Sequence, residues 1–383
     1  MGCLCRPALK ELVRRQIRER GRITFAEYMA MALYAPGLGY YTAPGRRIGK
    51  GGDYFTSPNV SPVFGAALAR QLTQMWELLG RPLGFAIVEF GAGTGLLAGD
   101  ILKALREKSP ELFAGLRYLI VEVSRPLAAV QRRRLGTLYL PRGKVQWFSD
   151  MARLIREPAG LVGSVLSNEF VDALPVHRVR MGRGRLREIY VTLEDGRFVE
   201  VEGPISAGGL VDYFAALGVE LVQGQEAEVN LAALRWLEQV GVMLDRGFVV
   251  TIDYGYEAPE LYGPRHLKGT LVGYREHRLC ANPYEALGRQ DLTAHVDFTA
   301  LMKHGEKAGL ATTGITSQMR FLLSLGVLSE TDERPDGLEA RRERLAARHL
   351  IMPGGMGEVF RVLIQHKGVA NPRLQGLASP WGA

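Results

Sequence analysis

Short apolar runs alternate with amphipathic stretches along this 383-residue chain, and that alternation is the first guide to its fold. Leu9, Leu12, Val13 and Ile17 recur at helical spacing among Arg and Glu, and Gly21 closes the helix they predict. Thr24-Phe25-Ala26-Glu27 has the spacing of a capping box and opens a second helix through about Leu33. The stretch APGLGYYTAPGRRIGKGGDYFTSP then shows no period; its six glycines and three prolines predict a long loop. Ser61-Pro62 sets a cap before a proline at the first helical position, and a third helix runs to about Leu79.

From Phe85 the pattern changes to brief apolar strands. FAIVEF (85–90), YLIVEV (118–123), Val145–Phe148, Ser164–Ser167 and Phe248–Ile252 are buried strands in prospect, with helices over 96–108 and 127–135 between them. Strands alternating with helices predict an α/β fold, a mostly parallel, doubly wound Rossmann-like sheet with helices on both faces. Val176 to about Val201 alternates around Gly182, Gly184 and Gly196, as inserted β-hairpins would. Residues 254–296 have weak periodicity and are read as an active-site insertion. Thr312–Thr316 and Phe360–Gln365 are expected to complete the sheet as a close pair. The expected organisation is N-terminal helices and a cofactor-covering loop (1–80), a Rossmann-like core (81–175), an inserted subdomain (176–245), the rest of the core with its insertion (246–367) and a loose tail (368–383).

Chemistry concentrates where strands are predicted to end. Glu89-Phe90-Gly91-Ala92-Gly93-Thr94-Gly95 lies where the first parallel strand gives way to a helix. Glycines there let backbone approach a ligand beside a helix N-terminus. The spacing is GxGxG, with Leu96 where a dinucleotide fingerprint has its last glycine. An acid two positions before the first glycine suits an amino or sulfonium group better than a pyrophosphate, which favours S-adenosylmethionine over a dinucleotide. Glu122 ends the second strand, where a carboxylate accepts hydrogen bonds from ribose hydroxyls. Asp150, after the third, is a candidate partner for an adenine amino group. Ser167-Asn168-Glu169-Phe170-Val171-Asp172-Ala173-Leu174-Pro175 follows the fourth strand and brings two carboxylates and an amide to the sheet edge. These are the candidates for holding a proton-bearing substrate nitrogen: Asn168, Glu169 and Asp172. His277 and His295 lack any metal-ligand spacing, and no metal is expected.

The motifs GYY at 39–41, GGDYFTSP at 51–58, EFGAGTG at 89–95, SNEFVDALP at 167–175, IDYG at 252–255, GTLVGYREHR at 269–278 and DLTAHVDF at 291–298 occur in one order. Together they resemble the MidA-type methyltransferases, over residues 9–367. That family includes a mitochondrial methyltransferase that assists assembly of respiratory complex I. The resemblance implies a class I S-adenosylmethionine-dependent enzyme that N-methylates arginine of a protein, with symmetric dimethylation in the mitochondrial member. It also implies a loop over the cofactor in which Asp53 and Thr56 bond the methionine end. Asn59 stands where the family often has glutamate, and GAG where it commonly has GPG. A small-molecule acceptor, or an assembly factor that binds cofactor without turnover, remain alternatives. The expected location is cytoplasmic for a bacterial chain and mitochondrial for eukaryotic relatives. The expected partner is a protein substrate, with homodimerisation left open.

Composition changes this picture little. Lys plus Arg total 48 against 40 Asp plus Glu, a net charge of +8, and the basic runs are not interleaved with aromatics as a nucleic-acid platform would be. Cys3, Cys5 and Cys280 make no disulfide framework. No apolar run approaches the ~18 residues of a membrane span.

Overall fold

The computed structural model describes residues 6–45, 61–136, 143–156, 160–328, 337–352 and 356–380. The chain divides into two compact units. One comprises Phe55–Phe170, Leu237–Tyr254 and His304–Ala383; the other comprises Met1–Tyr54, Val171–Trp236 and Gly255–Lys303.

The first unit is built on a sheet whose main path has seven strands. Its strands are β1 (Ala86–Phe90), β2 (Arg117–Val121), β3 (Val145–Phe148), β4 (Leu161–Asn168), β5 (Leu244–Tyr256), β6 (Ala311–Ser317) and β7 (Phe360–Lys367). They lie in the order β6-β7-β5-β4-β1-β2-β3. Only β7 runs antiparallel to its neighbours, so the sheet is mostly parallel. This is the Rossmann-like sheet the apolar runs predict, with β6 and β7 completing it as a pair. The strands are near-continuous apolar runs because both faces are covered: Ile87, Tyr118, Ile120, Val250 and Ile252 are buried with helix residues Phe64, Leu68, Ile101 and Leu105 in one core. Gly163 and Gly247 mark close approaches between strands, since a Cβ on Gly163 would run into the backbone of Ala86 on β1 and one on Gly247 into that of Gly163. The helix Pro62–Leu78 starts as the sequence indicates, Ser61 Oγ accepting from Val63 N–H at 3.2 Å with Pro62 at the first position. One expectation fails. The segment after Gly368 is not loose: Leu374 is buried, Gln375 N donates to Gln74 Oε1 and Gly376 N to Gln71 Oε1, both at 2.9 Å. Leu374, with Val369 and Leu377 packed against the same core, and these two satisfied backbone donors hold it.

The second unit carries the N-terminal helices Pro7–Arg20 and Phe25–Tyr34. The capping box is present, Glu27 N donating to Thr24 Oγ1 at 3.2 Å and Thr24 N to Glu27 Oε2 at 2.8 Å. The hairpins form a five-stranded antiparallel sheet from Ile23–Thr24, His177–Gly182, Arg185–Glu194, Arg197–Gly203 and Glu226–Val229. A smaller antiparallel sheet joins Val272–Arg275, Arg278–Cys280 and Asp291–Thr293. Glu276 and His277 form its two-residue turn with φ of 51° and 61°, so His277 sits at a hairpin tip.

Candidate cofactor site

In an open α/β sheet, ligands bind at the carboxyl ends of strands where the connections diverge. Here that point lies between β1 and β4, with Phe90 opposite Ser167. The glycine loop leaves β1 at this place. Gly91, Gly93 and Gly95 have φ of 66°, 53° and 76°, a region that other residues enter only at a cost. Gly95 caps helix α1 (Leu96–Lys108). A Cβ on Gly91 would stand 3.0 Å from Cδ2 of Phe170, and the rings of Phe90 and Phe170 are 5.6 Å apart. The loop is thus packed from behind and presents backbone at the helix N-terminus.

Glu122, one residue past β2, accepts from Ser124 N at 2.8 Å through Oε1 and from Gln131 Nε2 at 2.9 Å through Oε2. Burial raises its pKa, while these two donors act in the opposite sense. Each oxygen keeps a lone pair for a further donor. Gln131, on helix α2 (Arg125–Gly136), is the keystone of this arrangement. Its Nε2 also donates to Gly93 O at 2.9 Å, and its Oε1 accepts from Trp147 Nε1 at 3.1 Å. One buried amide therefore joins the glycine loop, the acid and β3. Arg134 on the same helix donates to Thr94 Oγ1 at 3.2 Å. Sequence reasoning missed Gln131. The available signal was its place on the apolar stripe of α2 with Ala128 and Leu135, at spacings of three and four.

Glu89 lies within β1, fully enclosed, and Tyr118 donates its hydroxyl to Oε2 at 2.8 Å. Burial lifts its pKa to about 7, the charge of Glu122 adds to the rise and the Tyr118 bond opposes it. Asp150 is exposed just beyond β3, accepting from Ser149 Oγ at 3.0 Å. Asn168 ends β4, and its Nδ2 donates to Glu169 Oε1 at 3.1 Å. Glu169 is held at φ 52°, a strained conformation for this residue type. It is fixed there by Glu169 N donating to Ile252 O at 2.9 Å and Phe170 N to Asp253 Oδ2 at 3.2 Å.

The structure thus gathers Glu89, Gly91, Gly93, Gly95, Glu122, Asp150, Asn168 and Glu169 into one unit, at the ends of β1 to β4. Asp172 belongs to the other unit; it is buried, and its carbonyl accepts from Ala294 N at 3.1 Å. Asp53 and Thr56 lie outside the described residues, as does Asn59. Two buried groups bear on what the site can hold. Asn168 Oδ1 and Ser167 Oγ have no hydrogen-bond partner among the described residues. Beside a close-approach loop and a carboxylate with spare lone pairs, they suit a ligand carrying both an amino end and ribose hydroxyls. Among the described residues no cluster of three or more His, Cys, Asp or Glu is placed to hold a metal ion, and no helix is long and apolar enough to cross a membrane.

Known proteins agree with this chemistry. The chain is 29% identical to the protein arginine methyltransferase NDUFAF7, mitochondrial, of Bos taurus, over 97% of this chain and 85% of that protein. It is 27% identical to the Homo sapiens protein of the same name, over 96% and 86%. A crystal structure from Burkholderia thailandensis bound to S-adenosyl-homocysteine superposes with a TM-score of 0.86 at 34% identity, covering 97% of this chain and 94% of that one. Residues 67–316 match the family described as "Putative S-adenosyl-L-methionine-dependent methyltransferase". The chain belongs to that family of S-adenosylmethionine-dependent methyltransferases, with a class I Rossmann-like sheet as its cofactor-binding scaffold.

Proposed function

We propose that this methyltransferase transfers methyl groups to an arginine side chain of a protein substrate. The observation that carries the reading is Glu169, a carboxylate held in a strained conformation beside Asn168 at the end of β4. Strain of this kind is retained where a side chain must be aimed. The names of the NDUFAF7 relatives support the acceptor class.

In this reading Gly91, Gly93 and Gly95 give backbone access to the cofactor, Glu122 receives its ribose hydroxyls, Asp150 its adenine amino group and Asn168 its methionine end. Glu89 supplies negative charge behind the loop above pH about 7, the pKa to which burial lifts it. When bound, the cofactor supplies an electrophilic methyl group on a sulfonium. Glu169 is the carboxylate this unit offers to the acceptor. A guanidinium stays protonated near neutral pH, so its nitrogen needs an acceptor for the proton it loses. As the N–C bond forms, the sulfur–methyl bond breaks with its electron pair on sulfur, and the nitrogen's proton passes to a carboxylate.

Methyl-labelled S-adenosylmethionine incubated with the protein and extract from its source tests this, with Gly93→Val as the blank. Label in a discrete protein band, released on hydrolysis as methylated arginine, is the expected result; monomethyl and symmetric dimethyl products are then separated. Label confined to small molecules assigns the acceptor to a metabolite. Cofactor binding without label in either fraction, with unmethylated acceptor present, points to an assembly factor.

A further inference from the structure

The unit that carries Asp172 also buries the carboxylate of Asp291. Asp291 begins the strand Asp291–Thr293, which pairs antiparallel with Val272–Arg275. Tyr274 stands opposite Asp291, and Val272 opposite Thr293. Alternation along the strand puts Asp291 and Thr293 on one face and sends Leu292 to the other, into the apolar core of Phe25, Met29 and Leu33. Ala294, the next residue, donates its N–H to the carbonyl of Asp172 at 3.1 Å and ties the Asp172 segment to this strand's end. Tyr41 donates its hydroxyl to Asp291, 2.8 Å from each oxygen, and its ring stacks on Tyr34 at 5.6 Å and 22°. Burial raises the pKa of the Tyr274 phenol, and the charges of Asp172 and Asp291 both add to the rise, so Tyr274 lies within electrostatic reach of both carboxylates.

A separate observation concerns Thr293. Its side chain is 3% exposed, yet Oγ1 has no hydrogen-bond partner among the described residues. A buried hydroxyl without a partner is unfavourable, and valine would fill the same volume without that penalty. This hydroxyl shares the face of Asp291 and is available to accept from a ligand.

We propose that Asp291, Thr293 and Tyr274, together with Asp172, form the recess that receives the cationic head of the acceptor, a guanidinium. The proposal rests on the arginine reading and adds the residues that select it. A guanidinium presents five N–H donors in a planar fork and no acceptor. The recess presents the complement: carboxylate oxygens, a hydroxyl lone pair, and flat tyrosine rings on which a planar cation packs. An ammonium lacks both the fork and the plane. Asp291 takes the charge, Thr293 accepts one N–H, and Tyr274 walls the plane.

Calorimetric titration of the full chain, saturated with S-adenosylhomocysteine, separates this idea from the arginine reading because no turnover is needed. The probes are Nα-acetyl-arginine amide and Nα-acetyl-lysine amide. The wild type binds the arginine probe more tightly than the lysine probe. Asp291→Asn weakens the arginine probe about tenfold or more, as loss of a charged acceptor does. Thr293→Val weakens it about threefold or more. S-adenosylhomocysteine affinity is unchanged in both, and the melting temperature of Thr293→Val stays level or rises. No preference for the arginine probe, or unchanged affinity in both variants, overturns the proposal. So does a Thr293→Val protein that loses stability, cofactor affinity and probe affinity together, since that marks a structural residue. Label transfer to an acceptor other than arginine, with probe binding as expected, overturns the arginine reading and leaves the recess standing.

Discussion

Gln131→Met tests whether one buried amide sets the cofactor site. Methionine keeps the length and approximate volume of glutamine but removes two N–H donors and one carbonyl. The lost bond to Glu122 is charge-assisted and is worth about 1.5–3 kcal/mol; those to Gly93 O and from Trp147 Nε1 are neutral and worth about 1 kcal/mol each. Trp147 is half-buried, so water reaches its N–H and moderates that last loss. Folding stability therefore falls by about 3–5 kcal/mol. The informative readout is cofactor affinity against pH. In the proposed function ribose hydroxyls donate to ionised Glu122, so affinity is expected to be full above the folded-state pKa of Glu122 and lost as pH falls through it. Burial already holds that pKa above its ordinary value, and Gln131 and Ser124 N hold it down. Glu89 and Tyr118, on the adjoining strands, are the other titratable groups nearby. Without the Gln131 amide the pKa rises further, and the loss of affinity begins at higher pH than in wild type. At pH 7 the drop in S-adenosylhomocysteine affinity is roughly tenfold, the share of one charge-assisted bond. A variant that melts earlier but binds with wild-type affinity and an unchanged pH profile would refute the reasoning and leave Gln131 as packing alone.

Glu89→Gln should abolish a pH dependence of stability: with a folded-state pKa of about 7 against 4.5, the wild type loses about 3 kcal/mol as pH rises from 4.5 through 7, and denaturant titration of the variant across that range should show no such slope. Gly91→Val places side-chain atoms against Phe170 at a φ of 66°, and should cost more than about 2 kcal/mol and abolish S-adenosylhomocysteine binding by calorimetry. Glu169→Gly should change stability by no more than about 2 kcal/mol, because relief of strain at φ 52° partly offsets the lost bond from Asn168 Nδ2, while methyl transfer to the acceptor falls at least a hundredfold; wild-type methyl transfer would remove Glu169 from the site. Arg178→Ala should destabilise by about 3–5 kcal/mol in a thermal melt, since it deprives buried Glu226 of a 2.9 Å partner and Glu228 of its nearest cation at 3.9 Å.

The fold was legible where local chemistry and burial agree. Thr24 with Glu27, and Ser61 with Pro62, are cap signals that act through bonds three residues or fewer apart, so they survive any tertiary context. The runs at β1, β2 and β3 were bounded within a residue or two, because a parallel strand covered on both faces must be apolar throughout. β5 was under-read: Leu244, Asp245, Arg246 and Gly247 precede its apolar centre, and two of these four are charged. Its pairing partner β4, not its own composition, carries the strand that far. The tail after Gly368 misled for the same reason. Among the described residues Leu374 is buried there, Val369 and Leu377 pack against the same core, and backbone bonds to Gln71 and Gln74 on a distant helix do the rest.

The glycine turn from β1 into its helix was legible because such spacing is a local requirement of an α/β crevice. Gln131 and Thr293 show what escapes that kind of reading. Each occupies a position that periodicity assigns to the interior, Gln131 between Ala128 and Leu135 and Thr293 two residues past Asp291 on one face of its strand. A polar side chain at such a place reads as a lapse in the pattern until its partners are known. For Gln131 the partners are internal, and three bonds join a loop, an acid and a neighbouring strand. For Thr293 no such partner is found among the described residues, which is the opposite condition. The two cases call for opposite expectations on replacement by an apolar isostere. Gln131→Met loses bonds already made and costs stability, whereas Thr293→Val loses none and costs only what a ligand would have gained. A melting curve for each variant, taken without ligand, separates a buried polar residue that organises the protein from one that waits for a substrate.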